Sequence, residues 1–250
     1  MADPLSTAAA AAKIVQIAQQ QGWFGKLKDA FAEKRPVLVL GSTGVGKTNF
    51  LESLQSLVPE TIDRLNRTSA AQQQKIKIDK EVFHFIDTPG QIGHQSRRSQ
   101  AILGALGTPK LGVINLTCWG YHEYTHGEDE AVENGQPSES WLEKHRKVEI
   151  EALKEWGPMM GSKPEYFFTV VSKADLWWPQ KDKVLRYYND EDYGTLLTDF
   201  GIRNRSVFGY SSVRHPFYGI APTSGNFDDD TRYKLQQYLL RELLRSATTR

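Results

Sequence analysis

The chain has 250 residues, with 31 Lys and Arg against 30 Asp and Glu and a formal net charge of +1, a balance that excludes a global field drawing it to nucleic acid or an acidic membrane. Its 39% hydrophobic content suits a globular α/β domain with an appendage, and its one cysteine, Cys118, excludes an intramolecular disulfide framework and points to a reducing, cytoplasmic setting. No apolar run approaches the roughly 20 residues of a membrane span, and "MADP" puts no positive charge ahead of the following alanines, so an export signal is not expected.

Ala8 to Gln20 is alanine-rich and predicts a helix. Beyond Gly22 and Gly25, "WFGKLKDAFAEKR" sets Trp23, Phe24, Leu27 and Phe31 on one helical face, with Lys and Glu opposite. Residues 1–34 are read as a helical N-terminal extension. Its apolar face docks on the domain or on a second copy of the chain, with a membrane surface or a partner as the alternative. From Pro36 the pattern changes. "VLVL" (Val37 to Leu40) is a continuous apolar run, as expected of a strand buried on both faces. A glycine-rich turn and the helix-like "TNFLESLQSLV" follow. "KIKI" and "EVFHFI" read as two strands joined as a hairpin, "RSQAILGAL" as a helix, and "LGVINLTCW" as a strand. "WLEKHRKVEIEALKEWG" has helical periodicity ending at Gly157, and "EYFFTVVS" is a strand. "KVLRYY" and "YGTLLTDFG" are helix candidates, "RSVFGYSS" is a strand, and "TRYKLQQYLLRELLRS" closes the chain as an amphipathic helix. Strands alternating with helices over residues 35–250 predict a three-layer α/β domain, with a mostly parallel central sheet and helices on both faces.

The turn after the first strand reads Gly41-Ser42-Thr43-Gly44-Val45-Gly46-Lys47-Thr48, which fits G-x-x-x-x-G-K-[ST], the P-loop, in its strand–turn–helix setting. Its glycines let backbone amides turn inward around phosphate oxygens, and the helix N-terminus adds a positive dipole. Lys47 is placed to reach the β- and γ-phosphates, and the Thr48 hydroxyl to ligate Mg²⁺. "FIDTPGQ" then ends a strand: Asp87 can hold Mg²⁺ through a water, and the Gly90 amide can meet the γ-phosphate. "VVSKAD" ends a later strand. The Asp175 carboxylate can accept from N1–H and N2–H₂ of guanine, a pair adenine does not offer. The Lys173 stem can lie across the base, and Ser211 and Ser212 of "GYSS" can support it from the other side.

With G-x-x-x-x-G-K-[ST], D-x-x-G, an [NT]-K-x-D-like motif and an S-A-like motif in that order, the chain resembles the Ras-like and translation-factor-like P-loop GTPases from about Arg35 onward. Two motifs depart: Ser172 stands where the family has Asn or Thr, and Ser212 where it has Ala. The resemblance implies GTP and GDP as ligands, Mg²⁺ as cofactor, hydrolysis of GTP, a molecular switch, and a protein effector or regulator. It implies a Thr closing over Mg²⁺, for which Thr68 is preferred to Thr61, and Gln91 orienting the attacking water. Thr43, where Ras-like members have Gly, would crowd an arginine finger, so slow intrinsic turnover is expected. An ATP-hydrolysing P-loop protein and a non-hydrolysing nucleotide-dependent binding module remain the alternatives.

Other features carry blander readings. Arg97 and Arg98 are expected on a solvated helix face, Cys118 as a buried inert thiol, and Trp177 and Trp178 packed near the base pocket. "HEYTH" (His122 to His126) matches the H-E-x-x-H of zinc proteases. Gly120 and Gly127 bracket it, and an acidic, turn-rich stretch follows instead of a helix, so it is read as a polar loop, with a structural or incidental metal contact as the alternative. From Tyr121 to Ser140 about 20 residues lack a clear pattern, longer than most α/β connections. Their acidic tip is placed to contact a partner or to respond to the γ-phosphate.

Overall fold

The computed structural model describes residues 35–57, 72–78, 81–88, 95–123, 127–222 and 227–248. The N-terminal extension expected over 1–34, Thr61, Thr68, Gly90, Gln91 and His126 lie outside the described residues.

A six-stranded sheet organises the chain. Its strands are β1 (Pro36–Gly41), β2 (Gln72–Ile78), β3 (Glu81–Asp87), β4 (Gly112–Thr117), β7 (Tyr166–Val171) and β8 (Arg205–Gly209), in the order β2-β3-β1-β4-β7-β8. β2 and β3 pair antiparallel, as the hairpin reading predicts, and every other pairing is parallel. Strands β1, β4 and β7 are buried along their whole length, which is why their sequences are unbroken apolar runs.

Alternate strand residues face opposite layers. Leu38, Leu40, Val113, Phe167 and Val171 pack on one side. They meet α2 (Gln95–Ala105), α4 (Glu139–Met160), α6 (Lys181–Asn189) and α7 (Asp192–Asp199) through Ile102, Leu153, Trp156, Tyr188 and Leu197. Val37, Val39, Ile114, Phe168 and Val170 pack on the other side, against Phe50, Leu51 and Leu54 of α1 (Lys47–Leu57) and Leu239, Leu240 and Leu243 of α8 (Asp229–Thr248). The three-layer arrangement is the expected one.

Two local expectations are corrected. Helix α4 does not stop at Gly157 but runs through Gly157 and Pro158 to Met160. A Cβ on Gly157 would stand 2.3 Å from the Phe200 ring, so the glycine permits a close approach here and ends nothing. The stretch between Tyr121 and Ser140 is also not structureless. It holds a short helix α3 (Glu128–Ala131) and a two-stranded hairpin of β5 (Val132–Glu133) and β6 (Gln136–Pro137). Ser138 then caps α4, its hydroxyl accepting from the Trp141 amide.

Candidate nucleotide site

Parallel pairing puts the C-terminal ends of β1, β3, β4, β7 and β8 on one edge of the sheet, where open α/β sheets bind ligands. All the described candidate site residues lie there. Gly41, Gly44 and Gly46 have φ of 143°, 79° and 90°, the left-handed backbone that lets the 41–48 turn curl. Lys47 folds back over this turn, its Nζ donating to Gly41 O (2.9 Å) and Ser42 O (3.2 Å). Burial lowers the pKa of this ammonium, and the nearby Asp87 carboxylate partly offsets that. Thr48 and Asn49 are exposed on the first turn of α1, Thr43 is half-buried, and Ser42 and Val45 are buried.

Asp87 ends β3 beside this turn. Burial pushes its carboxyl up to about 6, against the pull of Lys47. Its buried Oδ1 has no hydrogen-bond partner. A buried carboxylate oxygen left open beside the Lys47 charge fits a Mg²⁺ ion bound with phosphate. Thr88 is turned away, its hydroxyl donating to Val39 O at 2.8 Å.

The base-side loop is tied to the phosphate loop. Ser172 is buried, and its hydroxyl lies 2.6 Å from Val45 O and 2.9 Å from Thr117 O, so a short side chain joins β7 to both the P-loop and β4. Trp177, fully buried, donates from Nε1 to Ser172 O at 2.8 Å, so it packs beside the base pocket as expected. Asp175 Oδ1 accepts from the Ser211 hydroxyl (2.8 Å), and Oδ2 lies 3.3 Å from the His215 amide. Burial raises its pKa, and these donors hold it down. Ser211 therefore positions the carboxylate, while Ser212 lines the pocket itself, with Val45, Gly46, Lys173, Asp175 and His215. The pocket encloses about 40 Å³, well short of the ~300 Å³ of an open ligand site. Glu123 narrows it, with its carboxylate 3.6 Å from Lys173 Nζ and 3.9 Å from His215 Nε2.

Cys118 is buried as expected, whereas residues 119–123 are what the sequence reading missed. His122 is wholly buried instead of lying in a polar loop. Trp119 and Gly120 both have positive φ (54° and 85°), and Tyr121 N donates to Cys118 O, a tight turn that swings His122 back under the P-loop. There its Nε2 lies 2.9 Å from the Ser42 hydroxyl. Glu123 N approaches Gly44 O at 3.4 Å, and Lys173 Nζ donates to Tyr121 O at 2.7 Å. One segment thus clasps the phosphate loop and the base-side loop together. Residues 121–123 are not helical, unlike a zinc-protease motif. Arg98 also departs from expectation: it is buried and paired with Glu155 of α4 at 2.7 Å, while Arg97 is exposed. The i,i+57 separation of that pair left no local signal.

A parallel sheet with a glycine loop, an invading lysine and a carboxylate at the neighbouring strand end defines a P-loop nucleotide-binding domain. Residues 36–135, under half of the chain, match the sequence model of the family described as 50S ribosome-binding GTPase. That span holds the phosphate-side residues, from Gly41 to Gln91, whereas Ser172, Lys173, Asp175 and Ser211 lie beyond it. No curated protein matches the chain.

Proposed function

We propose that the protein binds GTP and GDP at this edge, hydrolyses GTP with Mg²⁺, and uses the difference between the two states as a switch. The observation that carries the guanine reading is the Asp175 carboxylate, buried at the base end of the pocket with both oxygens aligned by the Ser211 hydroxyl and the His215 amide. A carboxylate preset in this way accepts two parallel N–H bonds from guanine, and would face an unpaired carboxylate's cost with adenine.

On the phosphate side, Lys47 and the loop amides neutralise charge on the β- and γ-phosphates as the bond to the leaving oxygen breaks. Thr48, Thr68 and Asp87 would hold Mg²⁺, which supplies further charge neutralisation when bound. Gln91 orients the attacking water, whose oxygen bonds to the γ-phosphorus as the β–γ bridging oxygen leaves with GDP. The switch reading rests on Asp87, which leads from β3 directly into Gly90 and Gln91, so that the phosphate site and the next helix are joined by a short segment. The exposed acids Glu128, Asp129 and Glu130 of α3 offer a surface to an effector or regulator.

The test is calorimetric titration of the full chain with GTP, GDP and ATP in Mg²⁺, repeated on Asp175→Asn. GTP and GDP should bind at least about 100-fold more tightly than ATP, and the variant should lose most of that preference. An unchanged GTP-to-ATP ratio in the variant would remove the role given to Asp175.

A further inference from the structure

Beneath the P-loop, Cys118, His122 and Glu149 bring a thiol sulfur, an imidazole nitrogen and a carboxylate oxygen within 4.8 Å of one another, all three residues buried. None of them has a part in the nucleotide chemistry described above. We propose that this cluster is a transition-metal site, with Zn²⁺ the ion its donors favour.

The donor set excludes the ions used with phosphates. Mg²⁺ and Ca²⁺ take oxygen ligands, whereas a thiolate with an imidazole and one carboxylate suits Zn²⁺. The spacing fits as well. Cys118 Sγ lies 3.3 Å from His122 Nδ1. Zn–S and Zn–N bonds of about 2.3 and 2.0 Å at a tetrahedral angle put those atoms about 3.5 Å apart. The tight turn at Trp119 and Gly120 is what makes this approach possible, since it folds the imidazole back onto the thiol four residues earlier.

The surroundings orient each donor as the outer shell of a metal site does. With Nδ1 toward the ion, His122 Nε2–H donates to Ser42 Oγ at 2.9 Å and lies 3.7 Å from Glu149 Oε1. Glu149 Oε2 accepts from the Tyr188 hydroxyl, and Oε1 from the Cys118 amide at 2.8 Å. His145, one turn before Glu149 on α4, stacks on the His122 ring with centroids 4.9 Å apart and closes that side. Burial pushes the Glu149 carboxyl up to about 7 and the Cys118 thiol well above its ordinary value, a cost a bound dication offsets. The ion would link the 118–122 turn to α4 and, through His122 and Ser42, brace the phosphate loop from behind. Its expected effect on nucleotide binding is therefore indirect.

Cys118 is the chain's single cysteine, which makes the test specific. Full-length protein, reduced, stripped with chelator and free of nucleotide, is titrated with Co²⁺. A thiolate-to-cobalt charge-transfer band can arise only at Cys118, so Co²⁺ bound at Thr48 and Asp87 would not produce it. The expected result is a band that saturates at one Co²⁺ per chain and is displaced by Zn²⁺. His122→Gln and Glu149→Gln, checked for folding by near-UV circular dichroism, should each weaken Zn²⁺ binding at least 10-fold, and Ser42→Ala about 10-fold. A folded wild-type protein without the band in excess Co²⁺ overturns the proposal, whatever the variants do. So does a band that His122→Gln leaves unchanged, which would mean a thiol binding metal alone. GTP titration of the same preparations reads the nucleotide site separately.

Discussion

The clasp of residues 118–123 on the P-loop makes two neighbouring glycines unequal. Gly44 and Gly46 have similar left-handed φ, 79° and 90°. Alanine at either position therefore costs about 1–2 kcal/mol in backbone strain. Their surroundings differ sharply. A Cβ on Gly46 meets nothing within 4 Å, whereas one on Gly44 stands 2.3 Å from Glu123 O and 2.8 Å from Glu123 N. Those are backbone atoms, so no rotamer change relieves the overlap and the two segments must part. Overpacking of that kind adds about 1–3 kcal/mol. Urea unfolding of the nucleotide-free variants should thus place Gly44→Ala below Gly46→Ala by at least about 1 kcal/mol, or roughly 3 °C in melting temperature. The comparison is made without nucleotide because a methyl at position 46 would also face phosphate. Equal destabilisation of the two variants would refute the packing of Glu123 on the P-loop.

Three further outcomes follow from the same geometry. Ser172→Ala removes a buried hydroxyl that lies between Val45 O and Thr117 O, and should cost about 1–3 kcal/mol in unfolding free energy while weakening GTP binding; an unaffected affinity would mean the tie does not hold the P-loop. Glu123→Ala takes a carboxylate from the pocket mouth and frees Lys173 and His215, so stopped-flow association of GTP should become faster, and an unchanged or slower rate would contradict its place across the pocket. Burial raises the Asp175 pKa, and guanine requires its ionised form. GTP affinity should therefore be full above that pKa and fall about tenfold per pH unit below it, while any ATP binding does not follow; a GTP affinity that stays flat while the Asp175 carboxyl, followed by NMR, takes up its proton would exclude an ionised Asp175 as the acceptor.

The strands that build the sheet were legible because burial on both faces forces continuous apolar runs, as in "VLVL" and "EYFFTVVS". The phosphate loop was legible because it is local: eight consecutive residues carry both the turn and its chemistry. The end of α4 was misread because Gly157 signals a stop in sequence, while the Phe200 ring packed against it requires a glycine inside the helix. His122 was misread for a related reason. Its polar neighbours suggest a loop, but its partners Ser42 and Glu149 are supplied by the P-loop and by α4, distant in the chain and adjacent in the fold. Arg98 is buried through Glu155 in the same way. Thr68, Gly90 and Gln91 lie outside the described residues.

The most direct test is competition of GTP, GDP and ATP for the purified full chain in Mg²⁺, followed by phosphate release from each bound triphosphate under single-turnover conditions. Strong guanine preference with slow release from GTP, made slower by Gln91→Ala, is the predicted result. Equal or tighter binding of ATP would contradict the guanine role of Asp175, and tight GTP binding with no release would leave a nucleotide-dependent binding module in place of a hydrolase.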